Sequence, residues 1–393
     1  MQSELHNSLL PLGSFNRRLA FYMAAFVLFI VGFVFGVYHL CFLFAAVLSA
    51  LLLSSIWVRV SHKALRVEVR GPCEVTCGDE IEITTEIAND GVLMRAFVEV
   101  ALPKMRWLKP IDPEHAQRTV LLIPPKNTTS VSFRLKAQKR GIYEYKHVLM
   151  LTRDPFGLFC AVKAFPCYYR LTVLPRVISI PFMWSTAGYI FGELNESNGE
   201  MSSTGMEFYG VREYHPGDPW KRIHWKVTAH TGRLSVMEFE REQHGNAVLV
   251  VDCDKRAHWG DGINASIEHA VMLAASIAGE LLRLGASVTL VAEPFIPTPG
   301  LAVESYGELK VLLYELARIE PIDAPSAIEV IHKARKLYGR SATLVAVLTE
   351  HSNDAKQVAQ DCDICVSIHD GFALIEANAL NVKHMLHLPS GEM

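Results

Sequence analysis

Two aspartates that follow an apolar run are the clearest candidates for a metal site in this sequence. Residues 246–251 read Asn-Ala-Val-Leu-Val-Val, and Asp252 and Asp254 come after them, separated by a single residue. Such a run is typical of a buried strand in a parallel sheet, and ligands collect at the carboxyl ends of those strands. Carboxylate oxygens there suit a hard cation such as Mg²⁺. Lys255 and Arg256 follow at once and would compete with that cation, so both interpretations stay open.

A second polar cluster lies upstream, between residues 205 and 226. Over residues 205–242 six Lys or Arg stand against six Asp or Glu, which indicates a salt-bridged cluster rather than a phosphate-binding strip. It is either a clamp between two domains or a functional site, because perturbed charge clusters mark both. The candidate partner-binding residues in it are Arg212, Glu213, Tyr214, Gly217, Asp218, Arg222, His224, Trp225 and Lys226.

Local signals around this cluster predict a short helix. Pro216 and Gly217 predict a turn, Asp218 is a good N-cap, and Pro219 suits the first helical position. The helix is expected to run from Pro219 to about His230 and to stop at Gly232. Trp220 and Trp225 are expected to pack beneath the charged cluster.

Other residues that could do chemistry give weaker signals. Cys362 and Cys365 have the spacing of a redox pair, but they enter a late strand instead of opening a helix. Cys73 and Cys77 are a lone pair, and two packed thiols are expected there. The sequence has no glycine-rich phosphate loop, no G-x-S-x-G and no H-E-x-x-H. No catalytic residue and no small-molecule substrate are therefore predicted.

The composition excludes several classes of protein. Among 393 residues, 38 Lys and Arg against 41 Asp and Glu give a net charge of −3, which offers no basic field for nucleic acid. Hydrophobic residues make up 50%, too many for a disordered or collagen-like chain. Eight cysteines form no dense framework and fit a reducing compartment.

Two uncharged stretches near the N-terminus predict a pair of membrane helices, over about residues 19–37 and 40–58. At about 1.5 Å per residue each spans roughly 29 Å, close to the hydrocarbon thickness of a bilayer. A cleaved signal peptide is the alternative, but its apolar core would be shorter. Both ends are predicted to be cytoplasmic because positive charges flank the pair, at Arg17, Arg18, Arg59, His62, Lys63 and Arg66.

Two further domains follow. Residues 63–175 show period-two alternation, as at Ile81, Ile83 and Ile87, and predict an immunoglobulin-like β-sandwich. Residues 176–245 are a connecting segment, preceded by the membrane hairpin and the sandwich. Residues 246–393 alternate apolar strands with helices and predict a doubly wound α/β domain. Its strands are expected at 246–252, 286–292, 342–348, 364–368 and 379–388, and its helices at 263–284, 306–319, 328–338 and 354–360.

The stretch from Gly205 to Lys226 resembles the signature of the bacterial family named domain of unknown function 58. It reads Gly-x-Glu-Phe-x-x-x-Arg-Glu-Tyr-x-Pro-Gly-Asp-x-x-Lys-Arg-Ile-His-Trp-Lys. Upstream, residues 140–143, 154–159 and 174–176 are similar to that family's lead-in, as is the order membrane helices, sandwich, signature and α/β domain.

This resemblance implies an α/β domain similar to von Willebrand factor type A and a MoxR-type AAA+ ATPase as partner. Type A domains commonly bind partners through a metal site of the form D-x-S-x-S. The matching positions here read Asp252-x-Asp254-x-Arg256, so both serines are missing.

Three hypotheses for the function result. The first is a non-enzymatic scaffold in the bacterial plasma membrane, multi-pass, whose large cytoplasmic part binds a protein partner. The second is a metal-dependent hydrolase or transferase centred on Asp252, Asp254 and His224. The third is a structural membrane protein whose polar cluster is only a clamp.

Overall fold

The computed structural model describes residues 14–112, 117–154, 159–180, 208–213, 223–239, 244–292, 302–339, 342–352, 355–377 and 382–388. The chain divides into two compact units, Met1–Val173 and Leu174–Met393.

Two apolar helices open the first unit, α1 over Ser14–Val34 and α2 over Tyr38–Ser61. The turn was predicted at residues 38 and 39, but it lies at residues 35–37, where Gly36 adopts a φ of +68°. Glycine takes this left-handed conformation without steric cost, which places the turn there. Among the described residues, α2 is the helix long and apolar enough to cross a membrane, and the apolar stretch Leu19–Val34 is shorter.

A β-sandwich forms the rest of the first unit, as the alternating sequence predicts. One sheet has the order β1-β3-β7-β5, and the other has the order β2-β9-β8-β4-β6. The strands are β1 Leu65–Arg70, β2 Glu74–Thr76, β3 Glu80–Asn89, β4 Arg95–Ala101, β5 Leu108–Pro110, β6 Gln117–Ile123, β7 Thr128–Ala137, β8 Gly141–Arg153 and β9 Cys160–Leu174.

The alternation of buried and exposed side chains along β3 shows how its sheet packs against the other sheet. Ile81, Ile83 and Ile87 are 4%, 0% and 0% exposed, and the glutamates between them point outward. A strand places successive side chains on opposite faces, so one face of β3 enters the core. The core between the sheets is completed by apolar side chains from the other strands, among them Val98, Phe133, Met150 and Leu171.

The second unit begins with a two-stranded ribbon. Its strands, β10 (Phe208–Glu213) and β11 (Ser235–Phe239), pair antiparallel with a register shift between Phe208 and Gly210. A short helix, α3 (Trp225–Thr231), lies between them along the chain.

The main sheet of the second unit has the order β13-β12-β14-β15-β16-β17. The first four of these run parallel, and β16 and β17 are antiparallel additions. The strands are β12 His244–Val251, β13 Ala286–Val291, β14 Thr343–Thr349, β15 Ile364–His369, β16 Phe372–Ala377 and β17 Val382–His387. The helices are α4 Ser266–Arg283, α5 Leu309–Arg318, α6 Ala327–Tyr338 and α7 Ala355–Asp361.

Helices cover both faces of this sheet. Apolar residues of α4 and α5 share one core with the sheet, and those of α6 and α7 share a second core on the opposite face. Every residue of β14 is therefore buried. Coverage on both faces is the reason why β12 and β14 are continuous apolar runs and show no alternation.

The sequence prediction missed β16. Residues 372–377 read Phe-Ala-Leu-Ile-Glu-Ala and follow β15 after a tight turn at Gly371, whose φ is +81°. The edge strand expected over residues 379–388 corresponds to β17, and it pairs with β16 and not with a parallel strand.

Candidate functional site

The carboxyl ends of β12, β14 and β15 form the candidate site, because the sequence places its acidic pair there. Asp252 and Asp254 follow β12 directly, and each is only 4% exposed. A buried carboxylate is costly unless hydrogen bonds or a cation satisfy it. The identity of the groups around each carboxylate therefore decides what this site can do.

Asp252 is satisfied by the protein itself. Its Oδ2 accepts a hydrogen bond from the hydroxyl of Ser352 at 2.5 Å, and its Oδ1 accepts one from the backbone N–H of Asp254 at 2.9 Å. The Ser352 hydroxyl in turn accepts a hydrogen bond from the backbone N–H of Thr349 at 3.2 Å. The Oδ2 of Asp252 is thus linked to the end of β14, and its Oδ1 is held within the loop that follows β12.

Asp254 is paired with Arg256. The Arg256 Nη2 lies 2.9 Å from the Asp254 Oδ2, and the Arg256 Nε donates to both carboxylate oxygens at 3.0 and 3.1 Å. Hydrogen bonding from this guanidinium, strengthened by its charge, lowers the pKa of Asp254. Burial opposes that shift without reversing it. The sequence left open whether Asp254 binds a metal cation or pairs with a neighbouring basic residue. In the structure Asp254 pairs with the guanidinium of Arg256.

The side chains around this pair also determine whether a metal ion could be coordinated here. Among the residues that the structure describes, no group of three or more His, Cys, Asp or Glu side chains is placed to hold a metal ion. An octahedral Mg²⁺ shell would need the oxygens of Asp252 and Asp254, which already accept hydrogen bonds from Ser352 and Arg256.

His258 connects the loop after β12 to the start of α4. Its Nε2 lies 2.8 Å from the carbonyl oxygen of Asp252, and its Nδ1 lies 3.0 Å from the hydroxyl of Ser266. A carbonyl can only accept, so Nε2 donates, and in the neutral ring Nδ1 accepts from Ser266. The Ser266 hydroxyl also accepts from the backbone N–H of Trp259 at 3.0 Å. His258 therefore fixes the loop that carries Asp252 and Asp254.

The solvent side of the same edge carries rings and charges. The rings of Trp259 and His351 lie 4.8 Å apart, and the Nδ1 of His369 lies 2.7 Å from the Oε2 of Glu350. We call Trp259, Glu350, His351 and His369 the carboxyl-edge surface. His351 is the most accessible of them, with 59% of its side chain exposed.

The signature residues are only partly described. Arg212 and Glu213 lie in β10, where they pair in register with Val236 and Ser235 of β11. Four other predicted partner-binding residues lie outside the described residues, namely Tyr214, Gly217, Asp218 and Arg222. The expected turn at Pro216 and the expected N-cap at Asp218 lie outside them as well.

His224 has a capping role in the described part of the signature. Its Nδ1 accepts a hydrogen bond from the backbone N–H of Val227 at 3.3 Å, and its carbonyl accepts from Thr228. The predicted helix included Ile223, but Ile223 forms a β-bridge with Val236, and α3 begins at Trp225. Pro219, the predicted first residue of that helix, lies outside the described residues. The predicted stop at Gly232 is correct, and this residue takes a φ of +67°.

Trp225 does not lie under a charged cluster as expected. It is 64% exposed, and the neighbouring Lys226 is exposed too. Trp220, the other tryptophan expected there, lies outside the described residues.

The Cys362–Cys365 pair is inaccessible. Both thiols are buried and neither is in a disulfide, and burial raises the pKa of each, to about 12 for Cys365. Nucleophilic and redox thiols are thiolates with lowered pKa values, so these two have the character of core residues.

Sequence reasoning missed Ser352, Thr349, His258 and Ser266. Ser352 lies 100 residues from its partner Asp252, and no local pattern marks either end of such a contact. The only available signal was topological, since parallel strands bring their carboxyl ends to one edge.

The comparisons with known proteins agree with the signature. Residues 210–371 match the family described as "Protein of unknown function DUF58", which confirms the resemblance that the sequence suggested. The uncharacterized protein YeaD of Bacillus subtilis (strain 168) is 24% identical over 226 residues, which cover 55% of this chain and 52% of YeaD. The chain thus matches about half the length of that curated relative.

Two solved structures are similar to parts of this chain, both at low sequence identity. A CARDB domain from Pyrococcus furiosus is 17% identical, covers 28% of this chain and 91% of its own, and has a TM-score of 0.20. A GH20 exo β-N-acetylglucosaminidase from Vibrio harveyi is 9% identical, covers 73% of this chain and 57% of its own, and has a TM-score of 0.21.

Proposed function

We propose that this chain, which belongs to the DUF58 family over residues 210–371, is a membrane-anchored, non-enzymatic scaffold that binds a protein partner. The partner implied by the family resemblance is a MoxR-type AAA+ ATPase. In this proposal α1 and α2 form a membrane hairpin, and the α/β domain is similar to a von Willebrand factor type A domain.

Charges next to the helices support a cytoplasmic scaffold. Arg59 lies in the last turn of α2, and Lys63 follows the helix, where it is exposed. Arg17 and Arg18 belong to the first turns of α1. Basic residues on both flanks of an antiparallel pair favour a bacterial plasma-membrane protein with both ends in the cytoplasm.

The observation that supports a non-enzymatic role is the ion pair between Arg256 and Asp254. Ligands bind at the carboxyl edge of a parallel sheet, and one or two carboxylates can hold a catalytic Mg²⁺ there. Here the guanidinium of Arg256 engages both oxygens of Asp254, while Ser352 engages Asp252. The acidic pair acts as an internal brace for the loop after β12.

That brace supports the carboxyl-edge surface, which we propose as the docking site. The rings of Trp259 and His351 contact each other at an interplanar angle of 33°, and aromatic rings with a polar rim are typical of the centre of protein interfaces. Glu350 and His369 supply the polar rim beside them. An ATPase surface with a complementary apolar pocket fits this arrangement.

A direct binding measurement tests the proposal. The full chain in detergent is titrated with the purified MoxR-type ATPase of the same organism, and His351→Ala is compared with Lys336→Ala, an exposed residue in the last turn of α6. We expect the Kd to rise at least about tenfold for His351→Ala, equivalent to 1.4 kcal/mol, and to stay unchanged for Lys336→Ala. Equal binding by both variants would place the interface elsewhere, and no binding by the wild type would reject this ATPase as partner.

A metal titration separates this proposal from the alternative, a metal-dependent hydrolase or transferase centred on Asp252 and Asp254. Calorimetry of the full chain with Mg²⁺ and with Mn²⁺ is expected to give no binding heat at millimolar metal. Saturable binding that is lost in Asp254→Asn would instead favour the enzyme hypothesis.

A further inference from the structure

The end of the sandwich beside α2 presents an apolar loop at the level where the helix ends. The loop between β3 and β4 is tied to the residues that follow the helix. The backbone N–H of Asp90 donates to the carbonyl of Ala64 at 2.9 Å, and the Nη2 of Arg95 donates to the carbonyl of Lys63 at 3.0 Å. The loop is therefore fixed beside the last turn of α2.

Three successive side chains in this loop are apolar and exposed. Val92, Leu93 and Met94 are 80%, 51% and 48% exposed, and Phe97 and Leu122 nearby are 42% and 46% exposed. Single exposed apolar residues are common on soluble surfaces, but contiguous ones mark a contact with a protein or a membrane.

Asn89 holds the loop in one conformation. It is 1% exposed, and its Nδ2 donates to the carbonyls of Leu93, Pro124 and Ile123 at 2.9, 3.2 and 3.3 Å. Its Oδ1 accepts from the backbone N–H of Gly91 at 3.1 Å. A loop supported by a buried, satisfied side chain presents its apolar residues as a built surface.

Contacts between α2 and the sandwich determine where along the helix, and so at what depth in a bilayer, the apolar loop lies. Ser54 lies seven residues before the end of α2, and its hydroxyl donates to Asp154 of the sandwich at 2.5 Å. Seven residues of helix measure about 10 Å. The sandwich therefore overlaps the last part of α2, which at 24 residues is about 36 Å long against about 30 Å of hydrocarbon.

Cations surround the apolar loop. Lys63 and Lys126 are exposed, and Arg66 pairs with Asp90 at 2.9 Å. Apolar side chains flanked by basic ones match the interface of a bilayer, where acyl chains meet anionic headgroups.

We propose that Val92, Leu93 and Met94 insert into the interfacial region of an anionic phospholipid bilayer, as a second membrane contact beside α2. This inference rests on the proposed function, because it requires α2 to cross the same bilayer.

Photolabelling of the full chain in liposomes tests the inference. The liposomes contain phosphatidylcholine and phosphatidylglycerol, with a phospholipid that carries a diazirine on its acyl chain, and adducts are mapped by mass spectrometry. We expect adducts on α2 and on residues 92–94. We expect none on Tyr168, which is 69% exposed but lies seven residues, about 23 Å, along β9 from Ala161 near the end of α2.

Two variants sharpen the outcome. Leu93→Ser is expected to reduce adducts on residues 92–94 at least fivefold and to leave those on α2 unchanged, whereas Tyr168→Ser changes neither. Labelled α2 with unlabelled residues 92–94 would overturn the inference and keep the membrane span. Absence of label on both would reject the proposed anchoring itself. Cross-links from residues 92–94 to a second copy or to another protein, without lipid adducts, would also overturn the inference.

Discussion

Ser54 and Asp154 join the apolar helix to the sandwich through a 2.5 Å hydrogen bond between two buried side chains. The other carboxylate oxygen of Asp154 accepts from the backbone N–H of Phe159 at 2.7 Å. One aspartate thus closes the connection between β8 and β9 and fastens it to α2. Asp154 is the first residue of the segment 154–159, which resembles the family's lead-in.

Replacement of Ser54 tests this fastening. In Ser54→Ala the buried carboxylate of Asp154 loses the hydrogen bond that the Ser54 hydroxyl donates, and loss of a hydrogen bond to a buried charged group costs about 1–3 kcal/mol. We expect the free energy of unfolding of the detergent-solubilised chain to fall by that amount in a denaturant titration. Ser49→Ala is the matched control, because the Ser49 hydroxyl donates only to the carbonyl of Ala46 in its own helix. A loss of equal size in both variants would contradict the fastening role.

Asn89 is expected to be the most sensitive polar residue of the sandwich. Asn89→Ala removes three donated hydrogen bonds and one accepted bond in a buried position. We expect a loss of about 2–4 kcal/mol in the free energy of unfolding, since several buried carbonyls lose their donor together. Asn127→Ala, at an exposed position, is expected to change stability by about 0.5 kcal/mol or less. Similar stabilities for the two variants would show that the loop is held by other contacts.

The pair of Asp254 and Arg256 predicts a pH-dependent contribution to stability. The pKa of Asp254 is held below its ordinary value of 3.8, chiefly by hydrogen bonds from the guanidinium. A lowered carboxyl pKa stabilises the fold at every pH above the unfolded value, and this contribution is lost as the pH falls through the folded pKa. We expect wild type to exceed Arg256→Gln in stability at neutral pH, and the difference to shrink below about pH 4.

Denaturant titrations at a series of pH values measure that difference. Arg318→Gln is the control for loss of a charge, because Arg318 forms an exposed pair with Glu315 at 3.6 Å. A stability difference for Arg256→Gln that stays constant from neutral pH to pH 3 would contradict a role for the ionised carboxylate.

The buried thiols predict selective reactivity. Burial raises the pKa of Cys362 and of Cys365, while Cys73 is exposed. We expect iodoacetamide at pH 8 to modify Cys73 in the native chain and to reach Cys362 and Cys365 only after unfolding, as followed by mass spectrometry. Rapid modification of Cys362 in the native state would show that the strand it precedes opens readily.

Sequence patterns were sufficient where one face or both faces of an element are buried. The alternation of Ile81, Ile83 and Ile87 predicted a sandwich strand, and the apolar run before Asp252 predicted a fully buried one. These patterns follow from burial itself, so they survive without knowledge of the partners.

Local signals failed where a distant contact decides the outcome. Ile223 was expected inside a helix, but it pairs with Val236, and α3 begins at Trp225. The pairing of Ser352 with Asp252 and of His258 with Ser266 depends on the order of the strands, which composition does not reveal. Arg256 was identified as a competitor for the acidic pair, but only the geometry assigned it to Asp254.

The short connection between α2 and β1 has a mechanical consequence. Only His62, Lys63 and Ala64 separate the helix from the first strand. Two of them are clamped, with the His62 ring 3.2 Å from the carbonyl of Ala161 and Ala64 bonded to Asp90. The connection contains no flexible linker, so a force on the helix is transmitted directly to β1. The helix and the sandwich therefore tilt together as one rigid body.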